Sequence, residues 1–149
     1  MRIEDAIKTR SFHSLQQKLN INIIFTHGWV YDKTQEFFGE YGLTSQQFNV
    51  LRILKGQYPK AVTTADIHDR MLEKNAGVSR LVDRLLKKGF VKKTVCEKDK
   101  RLVDVIISDK GLKVLKEIGK KMHRIDEIYS SLTDEEIQTL NDLLDKLRG

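Results

Sequence analysis

Cysteine and proline occur once each in this 149-residue chain, as Cys96 and Pro59. A single thiol can neither close an internal disulfide nor furnish a multi-thiolate zinc site, so neither device holds the fold together. So little proline disfavours long loop-rich or disordered segments and suits helices with solvated faces. No run of about 18 uncharged apolar residues occurs. The opening stretch "MRIEDAIKTRSFHSL" has neither the apolar middle nor the small-residue cleavage site of a secretory signal. A cytoplasmic chain with no membrane partner is therefore expected. There is no glycine-rich phosphate loop and no nucleophile elbow, and the acids are spread over helix surfaces, which sets enzyme activity aside. His13, His27, His68 and His123 are dispersed, without the i, i+4 pairing of a metal site, so no metal or other cofactor is expected.

What is present is a length and a hydrophobic content of 40% that suit one globular core. The net charge of +6 is concentrated. Lys74, Arg80, Arg84, Lys87, Lys88, Lys92, Lys93, Lys98, Lys100 and Arg101 face only Asp83, Glu97 and Asp99 in the same stretch, a local net of +7 that leaves the rest of the chain at −1. Basic charge confined to under a fifth of the chain is the footprint of a polyanion partner, because neutralising phosphates releases counterions. A solvated charged face is the plainer reading of the same numbers.

Apolar residues Phe12, Leu15, Leu19, Ile23, Val30, Phe37 and Tyr41 recur at helical spacing over 12–41. Ile21, Ile24, Phe25 and Trp29 lie off that stripe. A helix apolar on more than one side must bury more than one side, and the excess predicts a subunit interface. "LTSQQF" at 43–48 is a capping box with a hydrophobic staple, starting a helix that should end near Gly56. Thr63 or Thr64 caps a short helix containing Ile67 and Met71, and after a turn near Asn75 a second helix runs to Gly89. Val78, Leu81, Val82, Leu85 and Leu86 fall on one face of that helix, with Ser79, Arg80, Asp83, Arg84 and Lys87 on the other. "FVKKTV" (90–95) and "LVDVII" (102–107) read as strands around a charged tip. Ser108 should then cap a helix from about Asp109 to about Ser130. "LTDEEI" at 132–137 repeats the capping box and opens a last helix expected to bury Ile137, Leu140, Leu144 and Leu147.

Helix, short helix, turn, amphipathic helix and hairpin in this order make a winged helix-turn-helix over 43–108, in a fold that is mainly α with a small β-hairpin wing. The second helix of such a pair fits the major groove of duplex DNA, where Arg80 and Arg84 can each make a bidentate contact to guanine. Ser79 suits a phosphate or base edge, and Lys87 a phosphate. The hairpin tip places Arg101, with Lys98 or Lys100, near the narrower minor groove. Asp99 would repel phosphate, so its expected use is to orient Arg101 or brace the tip. The residues assigned to DNA are thus Thr64, Asn75, Ser79, Arg80, Asp83, Arg84, Lys87, Lys98, Asp99, Lys100 and Arg101. A winged helix used for protein interaction or architecture, with its basic face only solubilising, is the competing reading.

The run "VSRLVDRLLKKGFV…EKDKRLVDVIISDKG", with "LTSQQFNVLRIL" before it and "LTDEEIQTLNDLLDKL" after it, resembles the MarR family of bacterial transcriptional regulators. The resemblance covers nearly the whole chain as a single domain, 1–149. Its most specific part is Asp99-x-Arg101, followed by β-branched alternation and "SDKG". It implies a homodimer joined through N- and C-terminal dimerisation helices (1–42 and 109–149), binding to a promoter operator, and control by a small molecule or an oxidant. Cys96, beside Lys92, Lys93 and Lys98, has the cationic surroundings that activate a thiol. MarR-like peroxide sensors carry the reactive cysteine in the N-terminal helices, where this chain has none, so an inert strand cysteine is the default. Phe25, His27 and Trp29 are candidates either for lining an effector cavity or for packing at the dimer interface.

Overall fold

The computed structural model describes residues 1–149. The elements are α1 (Ile3–Ala6), α2 (Leu15–Gly39), α3 (Ser45–Gln57), β1 (Val62–Thr63), α4 (Thr64–Arg70), α5 (Val78–Lys87), β2 (Val91–Val95), β3 (Val103–Ile107), α6 (Asp109–Gly119), α7 (His123–Asp126), a 3-10 turn (Glu127–Tyr129) and α8 (Asp134–Arg148). No helix is long and apolar enough to cross a membrane.

Hydroxyl caps set most of the helix starts. Ser14, Thr44, Thr63, Ser108 and Thr133 each accept a hydrogen bond from the amide three residues on. At Thr44 and Thr133 the partner side chains, Gln47 and Glu136, reach back to the cap's own N–H, completing both capping boxes. Thr63, not Thr64, is the cap of α4.

The core lies between α3, α5 and the sheet. Val50, Leu51 and Leu54 of α3 meet Leu81, Val82 and Leu85 of α5 and Val91, Val105 and Ile107 of the strands. At about 1.5–3 kcal/mol for each fully buried aliphatic side chain, this cluster is what orients α5. Gly89, at φ +77°, ends α5: the Phe90 N–H bonds to Leu85 O and the Gly89 N–H to Leu86 O. That left-handed turn sends the chain straight into β2. Ser108 ties the next helix to the same turn, donating to Gly89 O at 2.6 Å while capping Gly111 N.

The structure departs from the sequence reading in three places. The sheet has three antiparallel strands in the order β1-β3-β2, because Val62 and Thr63 pair with Val105 and Asp104. Two residues are too few to show an alternation, and Thr63 serves at once as strand end and helix cap. The helix expected over 109–130 is interrupted after Gly119. Backbone angles stay right-handed through Lys120 and Met122, but the amides of Lys121, Arg124 and Ile125 bond three residues back instead of four. Last, α8 buries none of its residues within one protomer: Ile137 and Leu144 are half-buried, while Leu140, Leu143 and Leu147 stand exposed.

Candidate nucleic-acid interface

Val78, Leu81, Val82 and Leu85 of α5 are taken up by the core, whereas Leu86, expected on the same buried face, stands 37% exposed at its margin; the opposite face is presented outward. Ser79, Arg80, Asp83, Arg84 and Lys87 are all exposed there. Gly77 precedes α5 without any side-chain cap, so its first-turn amides have no internal side-chain acceptor. A helix start of this kind favours an anion. Nothing local in the sequence announces this open start, because an uncapped helix is marked only by the absence of a Ser, Thr, Asp or Asn at the cap position. Asn75 is exposed in the turn before α5, and Thr64 is half-buried as the first residue of α4.

The wing is closed at its tip by the Cys96 N–H on Leu102 O and the Leu102 N–H on Asp99 O. Asp99 grips Arg101: Oδ1 accepts from the Arg101 N–H and Nε and Oδ2 accepts from Nη2, all at 3.0 Å. These bonds hold the Asp99 carboxyl below its ordinary range and raise the guanidinium of Arg101. The Arg101 side chain stays 90% exposed, so it projects from the hairpin in a fixed direction with Nη1 uncommitted. Lys98 and Lys100 flank it, both exposed. Cys96 is buried beneath this tip.

The structure divides the ten cations that the sequence groups together. Lys88 turns inward, with Nζ donating to Gly42 O and to Gln47 Oε1, which ties the end of α5 to the α2–α3 turn. Lys74 donates to Asp69 O. Lys93 pairs with Asp83 at 2.6 Å, and this contact keeps the Asp83 carboxyl below its usual range. Arg80, Arg84, Lys87, Lys92, Lys98 and Lys100 have no internal acid or carbonyl partner. A cationic helix face and a cationic tip remain; of the three acids in this stretch, Asp83 and Asp99 are paired with neighbours and Glu97 stands exposed.

Phe25, His27 and Trp29 do not share one site. Phe25 and Trp29 line a cavity of about 280 Å³ under α1, together with Ile3 and Asn22. His27 faces a larger cavity, about 510 Å³, between α2, α3 and the α4–α5 turn, where Tyr31, Phe38, Phe48, Arg52 and Leu72 also contribute. The turn is held to α3 at the wall of this cavity: Gln46 Nε2 donates to Glu73 Oε2 at 2.6 Å, and the Leu72 N–H donates to Asn49 Oδ1 at 3.0 Å. Residues 25 and 29 lie one turn apart, with 27 on the far side of the helix, so adjacency in sequence misleads here.

Comparison with known proteins gives a consistent set. A family model described as the MarR family matches residues 41–102. The uncharacterized HTH-type transcriptional regulator YpoP of Bacillus subtilis is 32% identical over 107 residues, covering 70% of this chain and 74% of that protein. A crystal structure of a MarR transcription factor from Planctomyces limnophilus is 30% identical with a TM-score of 0.71, covering 91% of this chain and 98% of that one. A mutant MarR from E. coli, crystallised with operator DNA, shares the fold at a TM-score of 0.77 and 24% identity, over 87% of this chain and 92% of its own.

Proposed function

The chain belongs to the MarR family of transcriptional regulators, and from that premise we propose that it is a repressor that binds a pseudo-palindromic operator as a homodimer. The observation that carries the proposal is the unpaired cationic face made by Arg80, Arg84 and Lys87 on α5, continued at the wing tip by Lys98, Lys100 and the Asp99-held but 90% exposed Arg101. In this reading α5 enters the major groove, Arg80 and Arg84 take guanine edges, and the open amides at its start take a phosphate. Arg101 enters the flanking minor groove. The E. coli relative crystallised on operator DNA supports the duplex as ligand.

Exposed apolar surface supports the dimer. Leu15 is 82% and Leu147 59% exposed, and Leu19, Ile24, Phe25, Trp29, Leu140 and Leu143 stand exposed with them on α2 and α8. A soluble protomer does not leave so much large apolar surface open without a partner. Residues 1–42 and 109–149 would supply this interface, and two copies of α5 would then meet successive major grooves about 10 bp apart.

Effector control would act through the larger cavity. A ligand there competes for Gln46, Asn49 and Glu73, the groups that fix the α4–α5 turn, and so shifts where α5 starts. Preference for the displaced state by about 1–3 kcal/mol changes operator affinity 5- to 150-fold.

Titration of the full-length protein against a duplex selected from a random pool, and against random duplex, at rising salt tests the proposal. Affinity should fall steeply with salt and favour the selected duplex by at least about a thousandfold. Equal, weak affinity for both would leave a winged helix that serves protein contacts instead.

A further inference from the structure

The strand β2 reads Val91-Lys92-Lys93-Thr94-Val95, and its register on β3 puts Val91 opposite Ile107, Lys93 opposite Val105 and Val95 opposite Val103. Directly opposed residues share a face of the sheet, and alternate residues of a strand share it too. Val91, Val105 and Ile107 are buried in the core, so their face is the one the helices cover. Lys93 therefore occupies a position where this strand's alternation calls for an apolar residue. Its ammonium escapes sideways to Asp83 on α5, 2.6 Å away. One step further along the same face, Val95 is already 61% exposed. The Lys93–Asp83 pair is thus a side-chain tie between α5 and the hairpin on the tip side of the buried Val91. Beyond it the hairpin runs out to Arg101, with Cys96 buried and Val103 half-buried on the way.

Resting on the reading of α5 and the wing as a DNA interface, we propose that Asp83 is a positioning residue: by holding Lys93 it locks the angle between recognition helix and wing, so that major-groove and minor-groove contacts form as one unit. Asp83 then reads no base itself. A bare carboxylate beside Arg80, Arg84 and Lys87 would repel phosphate, and the pairing with Lys93 removes that cost. The low carboxyl pKa of Asp83, caused first by the hydrogen bond from Lys93 and then by its charge, agrees with the geometry.

The test is a double-mutant cycle on a duplex selected from a random pool by the full-length wild-type protein. Arg84→Ala and Arg101→Ala are measured singly and together, first in the wild-type background and then with Lys93→Met, which keeps the aliphatic stem and drops the charge. In the wild-type background the combined loss should fall short of the product of the single losses by about two- to fivefold, the scale of an exposed ion pair. With Lys93→Met the losses should multiply. Exchanging the charges, Asp83→Lys with Lys93→Asp, should restore the shortfall. Multiplicative losses in the wild-type background would overturn the proposal while leaving the DNA interface standing. So would a change of base preference at one position in Asp83→Asn that the charge exchange fails to repair, since Asp83 would then be a reader. Selection of no preferred duplex would remove the interface and the proposal with it. A measurement without DNA completes the test: by NMR, the Asp83 carboxyl should titrate below its usual range in the wild type and return toward it in Lys93→Met. An ordinary wild-type titration would show that the tie does not exist.

Discussion

Gly111→Ala should destabilise the protein although it sits in a helix, where alanine is ordinarily better than glycine by about 1 kcal/mol. Gly111 is the third residue of α6, its N–H held by Ser108 Oγ. A Cβ built there would lie 2.3 Å from the carbonyl oxygen of Phe90 and 2.6 Å from Cγ1 of Ile107. Separations below 3.0 Å are not tolerated, so something must move. The neighbours cannot swing aside: one is backbone at the entry to β2, and the other is a core side chain only 2% exposed. Overpacking of this kind costs about 1–3 kcal/mol, and a backbone obstacle puts it at the upper end. Offset by the helix preference, a net loss of about 1–2 kcal/mol is expected, or roughly 2–8 °C in Tm at about 2–4 °C per kcal/mol. Gly56→Ala is the control. Gly56 lies in α3 with nothing within 4 Å of its Cβ direction, and should gain about 0.5–1 kcal/mol. Urea unfolding at one fixed protein concentration reads both variants. A Gly111→Ala protein as stable as the wild type, or a Gly56→Ala protein equally weakened, would refute the reasoning.

Arg84→Ala or Arg80→Ala should cost about 1–3 kcal/mol of operator binding and relax preference at one base position; a uniform loss across sequences would reassign that residue to a phosphate. Arg101→Ala should weaken binding most where A·T-rich sequence flanks each half-site, and equal losses on G·C-flanked duplexes would count against minor-groove insertion. Truncation before Thr133 removes α8 and should give monomers or aggregates by light scattering, whereas a well-behaved dimer would place the interface elsewhere. Glu4, hydrogen-bonded by Lys18 at 2.6 Å, is lowered from 4.5 to about 2. Its contribution to docking α1 is therefore complete above pH 4.5 and lost as pH falls through about 2. Trp29, the chain's only tryptophan, lines the cavity beneath α1. Its emission at neutral pH should therefore differ between Glu4→Gln and the wild type, and an unchanged spectrum would dissociate Glu4 from the docking.

The sequence displays what strong periodicity can display. Leu81, Val82 and Leu85 announce the buried face of α5 because no other spacing puts them together, and Thr44 with Gln47 announces a helix start because the box needs both. Partners distant in sequence are another matter. Nothing local says that Lys88 turns inward to Gly42, or that Lys93 sits at an inward register position and leans on Asp83, since both facts depend on how α5 packs against other elements. The same holds for Phe25 and His27, which two separate cavities claim. The break after Gly119 is a shift in hydrogen-bond pattern that leaves the apolar stripe of Leu115, Ile118, Met122 and Ile125 in phase, so periodicity reads straight through it.

A crystal structure of the full-length protein on its selected duplex tests the central claim most directly. Two protomers should straddle a two-fold axis, with each α5 in a major groove, Arg80 and Arg84 at guanine edges, and each Arg101 in the adjoining minor groove. A complex in which α5 is packed against protein, or in which a single protomer lies on the duplex, would contradict the account.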